Sequence, residues 1–293
     1  MNRKIVFIVN PNSGTLKEKS SLVQILENTC KRETLGQYEI ETWFTKGPGH
    51  ATELAHKAIN KKVELCIAVG GDGTMHETAI GLIGSETSLG IVPIGSGNGL
   101  ARHIGLSMNA EIALIQLLKG DFEFMDVGKI NNSYFFLAAG IGFEGTVAQI
   151  FSQQKTRGFL QYLLSASKAY GKFKPLEISI DGAKTSIFTL TFANGSQYGN
   201  NAFIAPGASI FDGLLNVTQI FPFPFHKGIV LSYRLLNKKL EENSFCKMSA
   251  YKSLEINLQT ETAGHVDGEP ILLPRNFTVE IVAEKLKIRM PGV

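Results

Sequence analysis

Through its first hundred or so residues the chain alternates short apolar runs with longer segments of helical spacing. Ile5 to Val9, Glu39 to Phe44, Glu64 to Val69 and Leu89 to Ile94 have the length and β-branched or aromatic content of strands. Between them, Lys19 to Thr34, His50 to Asn60 and Met75 to Ile83 carry helical patterns. Strands and helices in alternation predict a parallel sheet with helices on its faces, a doubly wound α/β domain. From about Asp121 the pattern shortens. Tyr134 to Ala139, Leu176 to Asp181, Ile187 to Ala193, Leu215 to Ile220, Ser253 to Leu258 and Asn276 to Val282 alternate in character and are broken by Gly, Asn and Pro. These runs predict a β-sandwich, interrupted by a helix from about Phe159 to Tyr170. The expected fold class is α/β plus β, with an N-terminal α/β domain over 1–125 and a C-terminal β-sandwich over 126–280.

Composition is consistent with two domains, because 293 residues that are 44% hydrophobic and 19% charged can bury a large core. No apolar run approaches the roughly 18 to 20 residues that span a bilayer, and Met1-Asn2-Arg3-Lys4 runs directly into a strand, so a cytoplasmic protein is expected. Cys30, Cys66 and Cys246 are odd in number and lack metal or redox spacing, which predicts reduced, mostly buried thiols. The formal charge of +3 is too small to argue for nucleic acid, although a local basic patch would favour an anionic membrane surface.

The candidate chemistry lies in glycine-rich runs at strand ends. Val69-Gly70-Gly71-Asp72-Gly73-Thr74 sits at the carboxyl end of the third strand and just before a helix. There, backbone amides and a helix amino terminus converge, and glycines let the backbone approach a phosphate closely. The same string is also an ordinary turn. Two further runs shift the balance: Pro93-Ile94-Gly95-Ser96-Gly97-Asn98-Gly99 after the fourth strand, and Asn10-Pro11-Asn12-Ser13-Gly14 after the first. Three such loops along one sheet edge suit a nucleotide better than chance turns do. No Gly precedes Lys and Ser or Thr at Walker spacing, and Gly95-Ser96-Gly97 lacks the third glycine of the dinucleotide fingerprint.

With Asn10 to Gly14, Gly70 to Thr74 and Gly95 to Arg102 in view, the chain resembles the diacylglycerol kinase catalytic domain family, which includes bacterial lipid kinases and sphingosine kinases and is more distantly related to NAD kinases. The likeness continues through Asp126-Val127-Gly128, Gly140-Ile141-Gly142-Phe143, Ala193-Asn194-Gly195, Ala205-Pro206, Phe211-Asp212-Gly213-Leu214-Leu215 and Val266-Asp267-Gly268-Glu269-Pro270. It covers nearly the whole chain, in order.

The resemblance implies a nucleotide-binding first domain, to which residues 281–293 return, and a lipid-substrate sandwich. It implies that Asn10-Pro11-Asn12-Ser13-Gly14, Thr45, Gly70-Gly71-Asp72-Gly73-Thr74-Met75-His76 and Ser96-Gly97-Asn98 line an ATP site. Asp72 would contact Mg2+ or its waters, Glu269 would be the general base toward the lipid hydroxyl, and Asp126 would lie near the cleft to orient magnesium or a lysine partner. A separate structural magnesium would be held by Asp212 with carbonyls near Ser209 and Leu214. Asp212-Gly213 and Asp267-Gly268 are also strong turn dipeptides, in which case the turn presents the carboxylate.

Three positions depart from the bacterial pattern. Thr15 stands where many bacterial members carry Lys or Arg, a charge that Lys17 could replace; His76 stands for the usual Asn and Gly99 for the usual Asp. The latter two, with Ser96, resemble the sphingosine kinase branch, although His76 equally fits capping or packing in its own helix. Phe221-Pro222-Phe223-Pro224-Phe225-His226-Lys227 joins aromatic to basic groups, with Lys168, Lys172 and Lys174 nearby, as an interfacial loop would, but such segments more often cross a β-domain core. Glu144, in Gly142-Phe143-Glu144-Gly145, could face the lipid headgroup, but such a residue is more often a solvated loop or helix-start carboxylate.

The function expected from the resemblance is ATP- and magnesium-dependent transfer of the γ-phosphate to the hydroxyl of diacylglycerol or a similar lipid. The partners expected are a lipid substrate met peripherally at the inner membrane surface and, in a homodimer, a second copy of the chain, with no nucleic acid. Three alternatives stay open: a sphingoid-base kinase; an NAD kinase, which would share Gly70 to Thr74 but not Gly95 to Arg102 as written; and a catalytically inactive nucleotide-binding regulator. Retention of Asp72 and Glu269 argues against the last, whereas Thr15 keeps it open.

Overall fold

Four apolar runs, β1 (Arg3–Val9), β2 (Tyr38–Phe44), β3 (Leu65–Gly70) and β4 (Ser88–Pro93), pair in parallel in the order β2-β1-β3-β4. Every residue of β3 and β4 is buried, which is why these strands read as continuous apolar runs and not as alternating ones. The crossovers are α1 (Lys19–Glu33), α2 (His50–Asn60) and α3 (Asp72–Leu82). After them come α4 (Gly99–His103), α5 (Ala110–Lys119) and β5 (Phe122–Met125). The chain's last strand, Leu286–Arg289, inserts parallel to β4 and antiparallel to β5, completing a six-stranded sheet. The parallel α/β architecture is as the strand and helix pattern predicts. The pattern did not disclose α5, although Asn109 caps it by accepting the N–H groups of Glu111 (3.0 Å) and Ile112 (3.1 Å).

This computed structural model describes residues 3–14, 19–153, 166, 169–171 and 173–292. The chain divides into two units, Met1–Met125 with Glu284–Val293, and Asp126–Ala283. Most of the helix predicted from Phe159 to Tyr170, together with Thr15, Lys17, Lys168 and Lys172, lies outside the described residues.

The second unit is a sandwich of two six-stranded sheets among the described residues. Its strands are β6 (Gly128–Ile130), β7 (Ser133–Phe135), β8 (Ala138–Gly142), β9 (Leu176–Ile180), β10 (Ala183–Ile187), β11 (Thr189–Ala193), β12 (Leu215–Ile220), β13 (Cys246–Tyr251), β14 (Ser253–Leu258), β15 (Thr262–Val266), β16 (Glu269–Leu273) and β17 (Asn276–Ile281). One sheet runs β10-β9-β14-β17-β6-β7 and the other β13-β12-β11-β8-β15-β16. Alternate residues of both fill one core: Phe135, Ile178, Leu254, Ile256 and Val279 from the first, Ile141, Leu190, Phe192, Val217 and Val266 from the second. A helix, α6 (Phe143–Ser152), follows β8, and a further helix spans Lys227–Leu236.

Two runs that read as single strands are each divided between the sheets. The run Tyr134 to Ala139 ends β7 at Phe135 and starts β8 at Ala138; Ile187 to Ala193 ends β10 at Ile187 and starts β11 at Thr189. A hydrophobic run cannot mark such a corner, because Phe135, Phe136 and Ala139 are all fully buried on either side of it.

The first corner is strapped by Asp267. The carboxylate accepts the N–H groups of Phe136 (2.8 Å), Leu137 (2.8 Å) and Ala138 (3.0 Å), and the Asp267 N–H donates to the Ala138 carbonyl (2.8 Å). Asp267 and Gly268 both have positive φ (48° and 87°) in the two-residue turn that joins β15 to β16, the backbone that Asp-Gly favours. Charge-assisted hydrogen bonds contribute about 1.5–3 kcal/mol each and do not add fully. Asp267→Ala is therefore expected to destabilise the second unit by about 3 kcal/mol or more, and Asp267→Asn by less, measured as urea midpoints at constant slope. A midpoint unchanged in the alanine variant would show that the strap carries no stability.

Candidate active site

The parallel strands of the first unit bring four carboxyl ends to one sheet edge. Asn10 closes β1: its N–H donates to the Val69 carbonyl (3.1 Å), its side-chain amide donates to Thr74 Oγ1 (3.1 Å), and its Oδ1 accepts the Asn12 N–H (2.9 Å). The Ser13 N–H returns to the Asn10 carbonyl (3.2 Å), so Asn10 to Ser13 is a tight turn with Pro11 and Asn12 exposed. Gly14 follows at φ +71°, where a Cβ would lie 2.3 Å from the Ile94 carbonyl oxygen. The Thr45 N–H donates to the Val9 carbonyl (2.9 Å), which sets the end of β2 beside this first loop.

Asp72 joins the other two loops. It opens α3, and its Oδ2 accepts the Asn98 N–H (2.8 Å) while its Oδ1 accepts the Gly99 N–H (2.7 Å). The loops touch backbone to backbone. A Cβ at Gly95 would lie 2.5 Å from the Gly71 Cα, and one at Gly97 2.6 Å from Asp72 Oδ2. Asn98 holds the second loop's shape from a left-handed conformation (φ 52°), its Oδ1 accepting the Gly95 N–H (3.1 Å) and its Nδ2 donating to the Gly95 carbonyl (2.8 Å). Below it, Arg102 Nε donates to the Gly97 carbonyl (3.0 Å), which puts a guanidinium against the loop.

The described residues thus connect Asn10, Thr74, Asp72, Gly97 and Asn98 through hydrogen bonds and close approach. A small cavity of about 10 Å³, room for a single water, lies between these loops, its lining including Gly70, Gly71, Asp72, Ile91, Asn98 and Leu100. Ser96 is exposed and Gly73 half-buried, whereas Thr74, Met75 and His76 are buried in α3. Glycine-rich backbone and an eleven-residue helix start at a sheet edge can receive phosphate. Magnesium is usually held by one or two carboxylates together with substrate phosphates and water, and Asp72, where the two loops meet, is a donor of that kind. Among the described residues no three His, Cys, Asp or Glu side chains gather as a cage.

In the second unit Glu269 is exposed at the start of β16, directly after the strapped turn. Asp126 is fully buried; its Oδ2 accepts the Gly213 N–H (2.7 Å), and its own N–H donates to the Ile210 carbonyl (2.7 Å), so it fastens the 209–214 loop. Asn194 Nδ2 donates both to the Asp126 carbonyl (2.9 Å) and to the Phe136 carbonyl (2.9 Å). Asp126 and the turn before Glu269 consequently meet at the same corner. Asp212 is exposed, with Oδ1 accepting the Leu214 N–H (3.0 Å), and Ser209 Oγ accepts the Phe211 N–H (3.2 Å). The loop is an Asx-type turn.

Glu144 is the main surprise, because it is buried where a solvated carboxylate was expected. From the first turn of α6 it meets the outer face of the second sheet, where Thr191 Oγ1 is 3.0 Å from both carboxylate oxygens, and it is hydrogen bonded to the Tyr198 hydroxyl. His265 Nε2 lies 3.5 Å from its Oε2, and His265 Nδ1 accepts the Gly268 N–H (3.3 Å). Gly140 makes the room, since a Cβ there would overlap Glu144 Oε1. The alternation of His265 with Val266 was the available sequence signal: Val266 faces the sandwich core, which turns His265 to the opposite face.

The cysteines are free thiols. Burial pushes Cys30 and Cys66 up to about 12, and burial followed by the nearby Glu241 charge pushes Cys246 up to about 11, so none is a thiolate at neutral pH. Among the described residues no helix is long and apolar enough to cross a membrane.

Comparison with known proteins agrees with this arrangement. Residues 4–130 match the diacylglycerol kinase catalytic domain, and residues 138–289 match the YegS C-terminal NAD kinase beta sandwich-like domain. The chain is 29% identical to a diacylglycerol kinase of Bacillus subtilis (strain 168), over 95% of this chain and 96% of that protein. It is 28% identical to a probable lipid kinase YegS-like protein of Klebsiella pneumoniae (strain 342), over 86% of each. The crystal structure of a putative diacylglycerol kinase from Bacillus anthracis str. Sterne shares the fold with a TM-score of 0.79 at 23% identity, over 98% of this chain and 97% of that one. With its looped α/β unit, its sandwich and matches along both, the chain belongs to the diacylglycerol kinase catalytic domain family of lipid kinases.

Proposed function

We propose that the chain transfers the γ-phosphate of ATP to the hydroxyl of diacylglycerol or a closely similar long-chain alcohol, using magnesium. The observation that carries this reading is the joining of two glycine loops by Asp72, which presents close-packed backbone and one carboxylate at the carboxyl ends of β3 and β4.

In this reading the loops at Asn10 to Gly14, Gly70 to Thr74 and Ser96 to Asn98 seat the phosphate chain, with Thr45, Met75 and His76 completing the site. Magnesium, when bound, neutralises charge on the transferring phosphoryl group, and Asp72 holds it directly or through its waters. Arg102 supplies positive charge beneath the second loop, a role for which Thr15 is unsuited. Glu269, exposed at the head of β16, takes the proton of the acceptor hydroxyl as that oxygen attacks the γ-phosphorus. Asp126 acts through structure, by holding the 209–214 loop. Asp212, with the carbonyls of Ser209 and Leu214, is assigned to a second, structural magnesium, a hard ion suited to oxygen donors.

Diacylglycerol is favoured over a sphingoid base by the state of Glu144. A sphingoid amine needs a carboxylate to meet it, and Glu144 is already hydrogen bonded by Thr191 and Tyr198 and lies beside His265. The lipid is met peripherally at a membrane surface.

Incubation with labelled ATP, magnesium and mixed micelles of diacylglycerol, sphingoid base or ceramide, with NAD as the aqueous control, tests the reading. Label is expected in diacylglycerol; label in sphingoid base or in NAD alone would replace that acceptor. Glu269→Gln is expected to lower turnover by about 100-fold or more while ATP affinity, measured by calorimetry, stays within a few-fold. Unchanged turnover would remove Glu269 from the chemistry. Asp72→Asn is expected to weaken magnesium-dependent ATP binding as well as rate, and a normal magnesium titration in that variant would contradict its assignment.

A further inference from the structure

The helix Lys227–Leu236 presents two unlike faces. Leu231 and Leu235 pack inward, against a core that includes Ile204, Ile220 and Leu240. Outward, Ile229 (77% exposed), Tyr233 (63%) and Leu236 (42%) follow one another at helical spacing, with Val230 (45%) beside them and Phe225 (73%) in the turn that precedes the helix. The segment expected to cross the core therefore divides: Phe223 packs against that core, whereas Phe225 meets the Tyr170 ring edge-on (5.0 Å between centroids) and is otherwise exposed. Single exposed apolar residues are ordinary, but four on one short helix, with Phe225 in the turn before it, mark a contact surface.

Charge identifies the partner. From Phe225 to Lys239 the chain carries Lys227, Arg234, Lys238 and Lys239 and no acidic residue. Lys227, Lys238 and Lys239 are exposed, and a groove of about 210 Å³ beside the stripe is lined by Lys227, Arg234, Glu242, Asn243 and Ser244. Neither Lys227 nor Arg234 is in an ion pair among the described residues. Apolar and aromatic side chains flanked by cations suit the boundary between acyl chains and anionic headgroups. A second copy of the same face suits it poorly, since a two-fold contact would bring like charges together.

We propose that the helix Lys227–Leu236, with Phe225, is a docking surface for an anionic lipid bilayer: the Phe225, Ile229, Tyr233 and Leu236 stripe enters the interface, and Lys227 and Arg234 receive headgroup phosphate. This rests on the lipid-kinase reading for its purpose, though not for its test.

Co-sedimentation with vesicles of phosphatidylcholine, alone or with phosphatidylglycerol at three parts in ten, measures docking without ATP. The protein is expected to bind the anionic vesicles preferentially, and more weakly as salt rises. Lys227→Gln with Arg234→Gln is expected to weaken binding about fivefold per charge, hence roughly twenty-five-fold together. Ile229→Asp with Tyr233→Ser is expected to abolish it, with an unchanged circular dichroism spectrum and unchanged turnover on detergent-dispersed lipid. Equal vesicle binding by both variants and the parent, or a dimer in sedimentation velocity that the Ile229 and Tyr233 changes dissociate, would overturn the surface. Vesicle binding without transfer to any lipid would support the surface and sink the kinase reading instead.

Discussion

One carboxylate organises the first unit. Asp72 opens a helix on one strand end and accepts two N–H groups from the loop on the next, and the loops could not lie so close if Gly95 or Gly97 carried a side chain. The charge serves the fold and the proposed chemistry together. A neutral group would hydrogen bond less strongly to backbone donors, and it would not compensate a cation brought in with phosphate. The Asn98 ring of bonds to Gly95 and the Asn10 link to Thr74 build outward from this point. The ends of three strands are thereby held before any ligand binds, which is the preorganisation that phosphoryl transfer asks of a protein.

The second unit depends on a corner in a comparable way. Phe136 to Ala138 carry the chain from one sheet to the other, and leaving three N–H groups of such a corner without acceptors would cost several kcal/mol. The Asp267 carboxylate accepts all three, while Asn194 secures the Phe136 carbonyl and reaches Asp126. The position of Glu269 follows from this corner, since only the Asp267-Gly268 turn separates its strand from β15. His265 adds a second hold through the Gly268 N–H and lies beside the buried Glu144. Glu269, the proposed base, is thus carried on backbone that the Asp267 carboxylate and His265 keep in place.

Much of this was legible without coordinates. The alternation of strand and helix in the first half, the sandwich pattern in the second, and the strand-end placement of the glycine runs follow from local spacing and from backbone preferences that each residue carries with it. Motif order along the chain was enough to indicate the family, because several independent runs agreed.

What the spacing could not state was which group each polar atom would meet. Nothing in Gly-Gly-Asp-Gly says that the carboxylate turns toward Asn98 and Gly99, and an Asp-Val-Gly run does not show that Asp126 is buried beneath a loop more than eighty residues away. Glu144 read as solvated because a helix-start carboxylate ordinarily is. Its burial depends on Gly140, Thr191, Tyr198 and His265, which come together only when the second sheet forms. The two strands divided at Phe136 and Phe188, and the apolar stripe left outside at Ile229 and Tyr233, have the same origin. The sequence by itself determined which elements form and where backbone can approach closely, because those depend on neighbours along the chain. Tertiary structure alone decided which carboxylates are buried, which are presented and which apolar face stays uncovered, because hydrogen-bond partners and burial are set by residues distant in sequence.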